Sequence, residues 1–290
     1  MEAVPVLEIG GTHVTAALVA DATVETAARL PLPANGSATE ILDGIAAAAA
    51  TLNAPPGSRW GVAVPGPFDY AAGIGLFRDV GKFDALCGVD VGAELRRRLP
   101  TPTLHFLNDA DAFGIGEYVS GAAAGHPRAV CLTLGSGVGS AFLDRGLPVD
   151  NGPLVPPDGS AHLLQHGGRP LEETVSRRAI RAAYARATDA EAPDVQAIAE
   201  RARSGDDEAK SVLDNAFRAL GTTIGPWLTT FDATVLVVGG SIAASWDLVE
   251  GPLRAGLPTE VELRPASRPT DAALLGAAWW ATISQGVPAR

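Results

Sequence analysis

The sequence predicts an α/β protein made of two similarly built domains, and three observations carry that prediction. Strand-like apolar runs alternate with helical segments along the chain, the pattern of an α/β architecture. One unusual glycine hairpin occurs twice, at 7–18 and at 132–143, and repetition of such a unit points to two similar domains facing each other. The 290 residues are 47% apolar, enough for one large domain or two ordinary ones with full cores.

Taken in order, residues 4–9, 13–19 and 23–31 read as an antiparallel meander, followed by a helix over 38–52. The alanine run at 46–50 lies inside that amphipathic helix, ATEILDGIAAAAATL, and no stretch of the chain is long and apolar enough to span a bilayer. RWGVAVPG (59–66) is a strand ending in a Pro65-Gly66 turn, VDVGAELRRRL a short helix, and PTLHFLND (102–109) a further strand. The second part repeats the plan with a hairpin over 128–146, helices over 171–188, 194–204 and 206–230, and the strand TVLVVGGS at 234–241. A helix, the strand EVELRPA and the terminal helix DAALLGAAWWATIS complete it. The segment 147–170 is rich in Pro and Gly without periodicity and reads as a long loop of functional or mobile character.

Bulk properties narrow the function. The net charge is −11, with two lysines, Lys82 and Lys210, a poor balance for gripping a nucleic-acid backbone. Acidity does not forbid ATP, because local backbone N–H groups and Mg²⁺ can overcome it. Two cysteines, Cys87 and Cys131, exclude a disulfide framework or a cysteine-rich zinc site and read as ordinary buried thiols. The start, MEAVPVLEIGG, lacks the basic and apolar regions of a secretory signal, so a cytoplasmic location is expected. There is no G-x-x-x-x-G-K-[ST], and GSGVGS falls in a hairpin rather than between a strand and a helix. P-loop chemistry is thereby excluded and a dinucleotide fold weakly supported.

The hairpins carry the most specific signal. VLEIGGTHVTAALV breaks an apolar strand with Gly10-Gly11-Thr12, which alone is simply a turn between two strands. Setting LEIGGTHVTAAL above LTLGSGVGSAFL aligns Leu7, Gly10, Thr15, Ala16 and Leu18 with Leu132, Gly135, Ser140, Ala141 and Leu143. Two such turns, Gly10-Gly11-Thr12 and Gly135-Ser136-Gly137, pointing into a shared cleft could offer backbone N–H groups to a polyphosphate from both sides. Glycine suits this role because a Cβ would obstruct the approach. A third glycine turn, Gly239-Gly240 in VVGGSIA, closes a strand and opens a helix, suitable for an adenosine moiety or a phosphate.

Five motifs in order, E-I-G-G-T-H, G-V-A-V-P-G-P, N-D-A-D-A, L-G-S-G-V-G and V-V-G-G-S, resemble the ROK family (repressors, open reading frames and sugar kinases) over nearly the whole chain. The resemblance implies an α/β, two-domain actin-like ATPase (ribonuclease-H-like) fold with a central cleft. A smaller domain of residues 1–109, joined by the C-terminal helix 276–290, would precede a larger one of 110–275. It implies a kinase that uses ATP and Mg²⁺ to phosphorylate a sugar, and a homodimer. The family's repressors carry an added helix-turn-helix domain, and with a first strand from residue 4 the kinase is the expected form.

By the same resemblance Asp109 falls on the catalytic aspartate, accepting the proton of the acceptor hydroxyl and orienting its oxygen, with Asn108 on a neighbouring hydroxyl. An N-cap is the structural alternative for Asp109 and the preferred role for Asp111. Glu8 stands where the family has an aspartate holding hydrated magnesium; the extra methylene moves the carboxylate by about 1.5 Å, which an intervening water could absorb. Glu172 becomes a second acceptor contact, while a first-turn glutamate complementing the helix dipole fits equally well. Pro65-Gly66 would shape the site, and Asp79 in FRDVGKF is a candidate for a hydroxyl with an exposed loop charge as the alternative.

The pattern departs from the family at DGSAHLLQHGGRPLEE. His162 matches the family's histidine as an acceptor contact, but Gly159 replaces a sugar-contacting glutamate and the zinc-binding cysteines are absent. His162 and His166 are spaced as i and i+4, yet their glycine- and proline-flanked segment is not helical in pattern and offers no further ligand. They are expected to be loop histidines, with no structural zinc. A missing hydrogen-bonding partner changes which polyol fits, so an atypical hexose, an amino sugar or a cyclitol is the expected acceptor. A catalytically idle, sugar-sensing regulatory protein is the alternative that Gly159 and the lost cysteines favour and the intact Asn108-Asp109 pair opposes.

Overall fold

The computed structural model describes residues 2–99 and 103–284. The chain divides into two units, one running to Ser120 and resumed at Thr270, the other Gly121–Pro269. Each is built around its own five-stranded sheet and its own apolar core.

In the first unit β1 (Val4–Ile9), β2 (His13–Ala20) and β3 (Thr23–Pro31) form the antiparallel meander. Helix α1 (Ala38–Ala50) starts at a capping box: Glu40 N–H donates to Ser37 Oγ at 3.3 Å and Ser37 N–H to Glu40 Oε2 at 2.8 Å. It buries Ile41, Leu42, Ile45, Ala48 and Ala49, so the alanine run completes a packed helix face. Strand β4 (Arg59–Val64) lies parallel to β1, and a small hairpin follows from β5 (Phe68–Asp69) and β6 (Ile74–Gly75). Helix α2 (Val91–Arg98) is capped by Asp90, which accepts from Ala93 N–H at 2.7 Å. Strand β7 (Thr103–Asn108) lies parallel to β4 and runs directly into α3 (Asp109–Ser120). The sheet order is β3-β2-β1-β4-β7.

The second unit repeats this order. Strands β8 (Arg128–Leu134), β9 (Val138–Asp144) and β10 (Leu147–Pro148) form an antiparallel meander. A hairpin of β11 (Gln165–His166) and β12 (Arg169–Pro170) follows, then helices α4 (Glu172–Val175), α5 (Arg177–Thr188), α6 (Val195–Arg203) and α7 (Asp207–Phe231). Strand β13 (Val235–Gly239), α8 (Trp246–Arg254) and β14 (Glu262–Pro265) complete the sheet β10-β9-β8-β13-β14, with β13 parallel to both neighbours. The repeated hairpin is thus one visible part of a duplicated sheet.

Four details differ from the sequence reading. The hairpins are one residue out of step: Ile9 pairs with Val14 around a four-residue turn, whereas Leu134 pairs with Val138 around three. Gly10 N–H closes the first turn on His13 O at 2.8 Å and Gly135 N–H closes the second on Gly137 O at 3.0 Å. The helix expected over 171–188 breaks at Ser176, which leaves the helical region (φ −72°, ψ 160°) to cap α5 through Ala179 N–H. Segment 147–170 holds short strands and two 3₁₀ turns, Pro157–Gly159 and Ala161–Leu163. Finally, α3 stays with the first unit past the boundary at 109, because it crosses the terminal helix α9 (Ala272–Ile283) at contact distance. A Cβ on Gly116 would overlap the Ala272 carbonyl and one on Gly276 the Ala112 carbonyl. Of the helix expected over 276–290, residues 285–290 lie outside the described residues.

Candidate functional site

In the first unit the carboxyl ends of the parallel strands bring the predicted residues together, the usual place for a site on such a sheet. Glu8 on β1 is level with Ala63 on β4, Ala63 with Leu107 on β7, and Val64 with Asn108, so Glu8 and the Asn108-Asp109 pair end on neighbouring rows. Asn108 is the capping residue: its Oδ1 accepts from Ala110 N–H at 2.9 Å and from Asp111 N–H at 3.4 Å. Asp109 Oδ1 also accepts from Ala110 N–H at 2.9 Å, leaving its second carboxylate oxygen for another partner.

The electrostatics distinguish Asp109 from a simple cap. Burial raises its carboxyl above the ordinary aspartate value, against the lowering effect of the Ala110 N–H. Glu8 is raised as well, by burial first and by the Asp109 charge second, with Arg29 opposing. Arg29 reaches Glu8 along one row of the sheet, in which Glu8 pairs with Thr15 and Thr15 with Arg29. Two neighbouring buried carboxylates, one of which raises the other, form an oxygen-only donor set suited to a hard cation that keeps most of its waters. Among the described residues no group of three or more His, Cys, Asp or Glu side chains could hold a metal ion by itself.

Tyr70, which the sequence reading missed, holds the other half of Asn108. Asn108 Nδ2 donates to Tyr70 Oη at 2.9 Å, and Tyr70 Oη donates to Val64 O at 3.3 Å. Burial pushes the Tyr70 phenol above its ordinary range, so it stays a neutral hydrogen-bonding group. Gly66 closes this corner: a Cβ there would stand 3.5 Å from Tyr70 Oη and 3.9 Å from Asn108 Nδ2. Asp79 is exposed, in a left-handed turn with φ 57°. Lys82 of that loop lies against the first glycine turn, its Nζ 2.7 Å from where a Cβ on Gly11 would stand. Thr12 Oγ1 is 2.9 Å from His13 Nδ1 on the same turn.

The second unit gathers the remaining glycines. Gly240 (φ 85°) packs so closely on Leu134 that any side chain would strike its backbone, and a Cβ on Gly135 would stand 3.7 Å from Ser241 Oγ. Gly135-Ser136-Gly137 and Gly239-Gly240 are therefore one structural corner. Arg177, also missed, ties it together, donating its N–H to Gly135 O at 2.8 Å and its Nη2 to Ser241 Oγ at 2.9 Å. A cavity of about 280 Å³ opens beside it, lined among others by Arg177, Asp194, Gln196, Glu200 and Ser245. Glu172 sits on the same corner: its Oε2 accepts from Val138 N–H at 3.1 Å and lies 2.7 Å from the Cβ position of Gly137.

Gly159 and His162 belong to a loop fastened to β9, where Ser140 Oγ donates to Gly159 O at 2.6 Å and accepts from Ala161 N–H at 2.9 Å. Gly159 has φ 63°, a backbone that disfavours a glutamate in its place. His162 is half-buried on its 3₁₀ turn, while His166 Nδ1 engages Thr223 Oγ1 on α7 at 3.1 Å. The two histidines therefore lie on different elements rather than on one helix face. No helix among the described residues is long and apolar enough to cross a membrane.

Comparison with known proteins agrees with this construction. The ROK family model matches residues 5–150 and 165–283. The chain is 31% identical to the N-acetylmannosamine kinase of Escherichia fergusonii over 94% of this chain and 96% of that one. It is 29% identical to the glucokinase of Thermotoga maritima over 67% of each. In three dimensions it is similar to a ROK family glucokinase from Streptomyces griseus in complex with glucose and AMPPNP. That match has a TM-score of 0.79 and 22% identity over 98% of this chain and 100% of that one. The fold is the two-domain, actin-like α/β fold of those proteins.

Proposed function

The chain belongs to the ROK family, and on that premise we propose that it is an ATP-dependent kinase whose acceptor is a hydroxyl of a hexose or sugar-like polyol, with Asp109 as general base. One observation carries the reading: a buried carboxylate of raised proton affinity starts α3, next to an amide held in place by a tyrosine. A base for a hydroxyl needs such affinity, and the acceptor needs a fixed neighbour that orients it.

Asp109 takes the proton from the acceptor hydroxyl as its oxygen forms a bond to the γ-phosphorus. The bond from that phosphorus to the bridging oxygen breaks and ADP leaves. Positioning contributes most in so loose a transition state. Asn108, aligned by Tyr70, orients a neighbouring hydroxyl, with Gly66 leaving room beside it. Glu172 and His162 are further acceptor contacts in this reading, and Asp79 an outer one. Gly10, Gly11 and Thr12, and Gly135, Ser136 and Gly137, are phosphate-binding turns. Gly239 and Gly240 border the nucleoside, which the cavity beside Arg177 and Ser241 has the volume to admit. Glu8 would hold hydrated Mg²⁺, which would supply positive charge to the phosphates of the nucleotide.

The acceptor is proposed to be an amino sugar or a cyclitol rather than glucose. Gly159 and His162 fall in the stretch between the two matched segments, and a glycine there offers a substrate no carboxylate. The test is Mg²⁺-dependent ATP consumption across hexoses, amino sugars and cyclitols, run beside Asp109→Asn. Acceptor-dependent turnover that collapses in the variant supports the reading. Binding of ATP or sugar without turnover by the wild type would replace it with a sugar-sensing protein.

A further inference from the structure

We infer that Lys82 is a phosphate-binding residue of this protein, its ammonium serving as a fixed cation over the Gly10-Gly11-Thr12 turn. The inference rests on the kinase reading and adds to it a contact specific to this chain. Three features lead to it. Lys82 is exposed yet lies along the turn: both its Cδ and its Nζ are 2.7 Å from the Cβ position of Gly11, so its stem follows the turn and the charge sits on it. A side chain at position 11 would push the lysine off the turn.

The charge is also uncompensated among the described residues. Among the described residues no carboxylate lies within ion-pair distance of Lys82. The other lysine, Lys210, is paired with Asp214 at 2.5 Å. Asp84, two residues beyond Lys82, is turned back on its own loop, accepting from Val80 N–H at 3.0 Å and Gly81 N–H at 3.2 Å. Asp84 is therefore engaged with its own loop rather than with the ammonium.

The placement is built rather than incidental. Phe83, the next residue, is 2% exposed in the first unit's core, and its N–H donates to Ala34 O at 2.8 Å. Leu32 N–H donates to Thr12 O at 2.9 Å, so the segment 32–34 fastens the lysine loop and the glycine turn to one another. An anion seated on the turn would meet backbone N–H groups and a cation together, a charge-assisted arrangement. The chemistry it selects is a phosphoanhydride, in which the cation meets the terminal phosphates rather than the nucleoside.

The test is calorimetric binding of ATP, ADP and AMP with Mg²⁺, and steady-state kinetics, for wild type, Lys82→Met and Lys82→Arg, with Lys210→Met as control. Loss of a charged hydrogen bond corresponds to about 10- to 100-fold weaker ATP binding in Lys82→Met. AMP affinity, acceptor KM and melting temperature are expected to be unchanged, with partial recovery in Lys82→Arg and wild-type behaviour in Lys210→Met. ATP affinity and ATP KM at wild-type values in Lys82→Met would overturn the assignment while leaving the kinase reading intact. An equal loss for AMP and ATP would overturn it too. A wild type that binds no nucleotide would overturn both.

Discussion

At the scale of single residues, one carboxylate is asked to do two conflicting things. In the proposed reaction Asp109 serves as base because burial raises its proton affinity, and the same burial costs stability whenever it is ionised. An acid whose folded pKa is raised binds protons more tightly in the native state, so stability falls as pH rises from the unfolded value through the folded one. Asp109→Asn is therefore expected to lower turnover by about 10²- to 10⁴-fold while raising the melting temperature at pH 7. The thermal gain should shrink as the pH is lowered through the folded pKa, where the wild-type carboxyl is protonated. In the wild type, kcat/KM should fall on the acid side at a pH above the ordinary aspartate value of 3.8. Tyr70→Phe removes the oxygen that accepts from Asn108 Nδ2. Acceptor KM is expected to rise by about 2- to 12-fold, the worth of one neutral hydrogen bond, with ATP KM unchanged in the same assay. Asp109 was legible because it ends an apolar strand within a motif. Tyr70 was not, because its partner lies 38 positions away and no local pattern marks a residue that acts through another.

At the scale of elements, the glycines divide into those that shape a turn and those that admit a neighbour. Gly116 on α3 and Gly276 on α9 let the two helices approach until backbone meets backbone, and Gly61 on β4 does the same against Ala277. Gly276→Ala is expected to destabilise by about 1–3 kcal/mol, the usual effect of overpacking, read from denaturant unfolding. Gly251 on α8 is the counter-case: beyond its own helix and chain neighbours nothing lies within 4 Å of its Cβ position, but Pro252 follows it. In Gly251→Ala the helix-propensity gain of about 0.5–1 kcal/mol is therefore offset by the proline ring against the new Cβ, and little net change is expected in the same unfolding measurement. Sequence pattern places both glycines on helices but cannot tell them apart, since the difference lies in what faces them. The break at Ser176 is of the same kind. Apolar periodicity continues across it, and the turn of the chain toward Gly135 sets it, through Arg177 N–H.

At the scale of the whole molecule, the net charge of −11 and the duplicated sheet order set the limits on function. So acidic a chain is expected to give no change in the anisotropy of a labelled DNA duplex at physiological salt, since nonspecific binding is driven by phosphate neutralisation. The sequence by itself determined the α/β class, the meander that opens the first unit, the hairpin that opens the second, and the paired Asn108-Asp109, because strand period, glycine turns and capping chemistry act over a few residues. It also carried the duplication, through the glycine hairpin that occurs in both units. Tertiary structure alone decided that Asp109 raises Glu8, that Tyr70 holds Asn108, that Arg177 joins Gly135 to Ser241, and that Lys82 lies on Gly11. Each of those relations joins distant positions. Electrostatics and hydrogen bonding depend on distance in space, which the order of residues leaves open until the strands are in register.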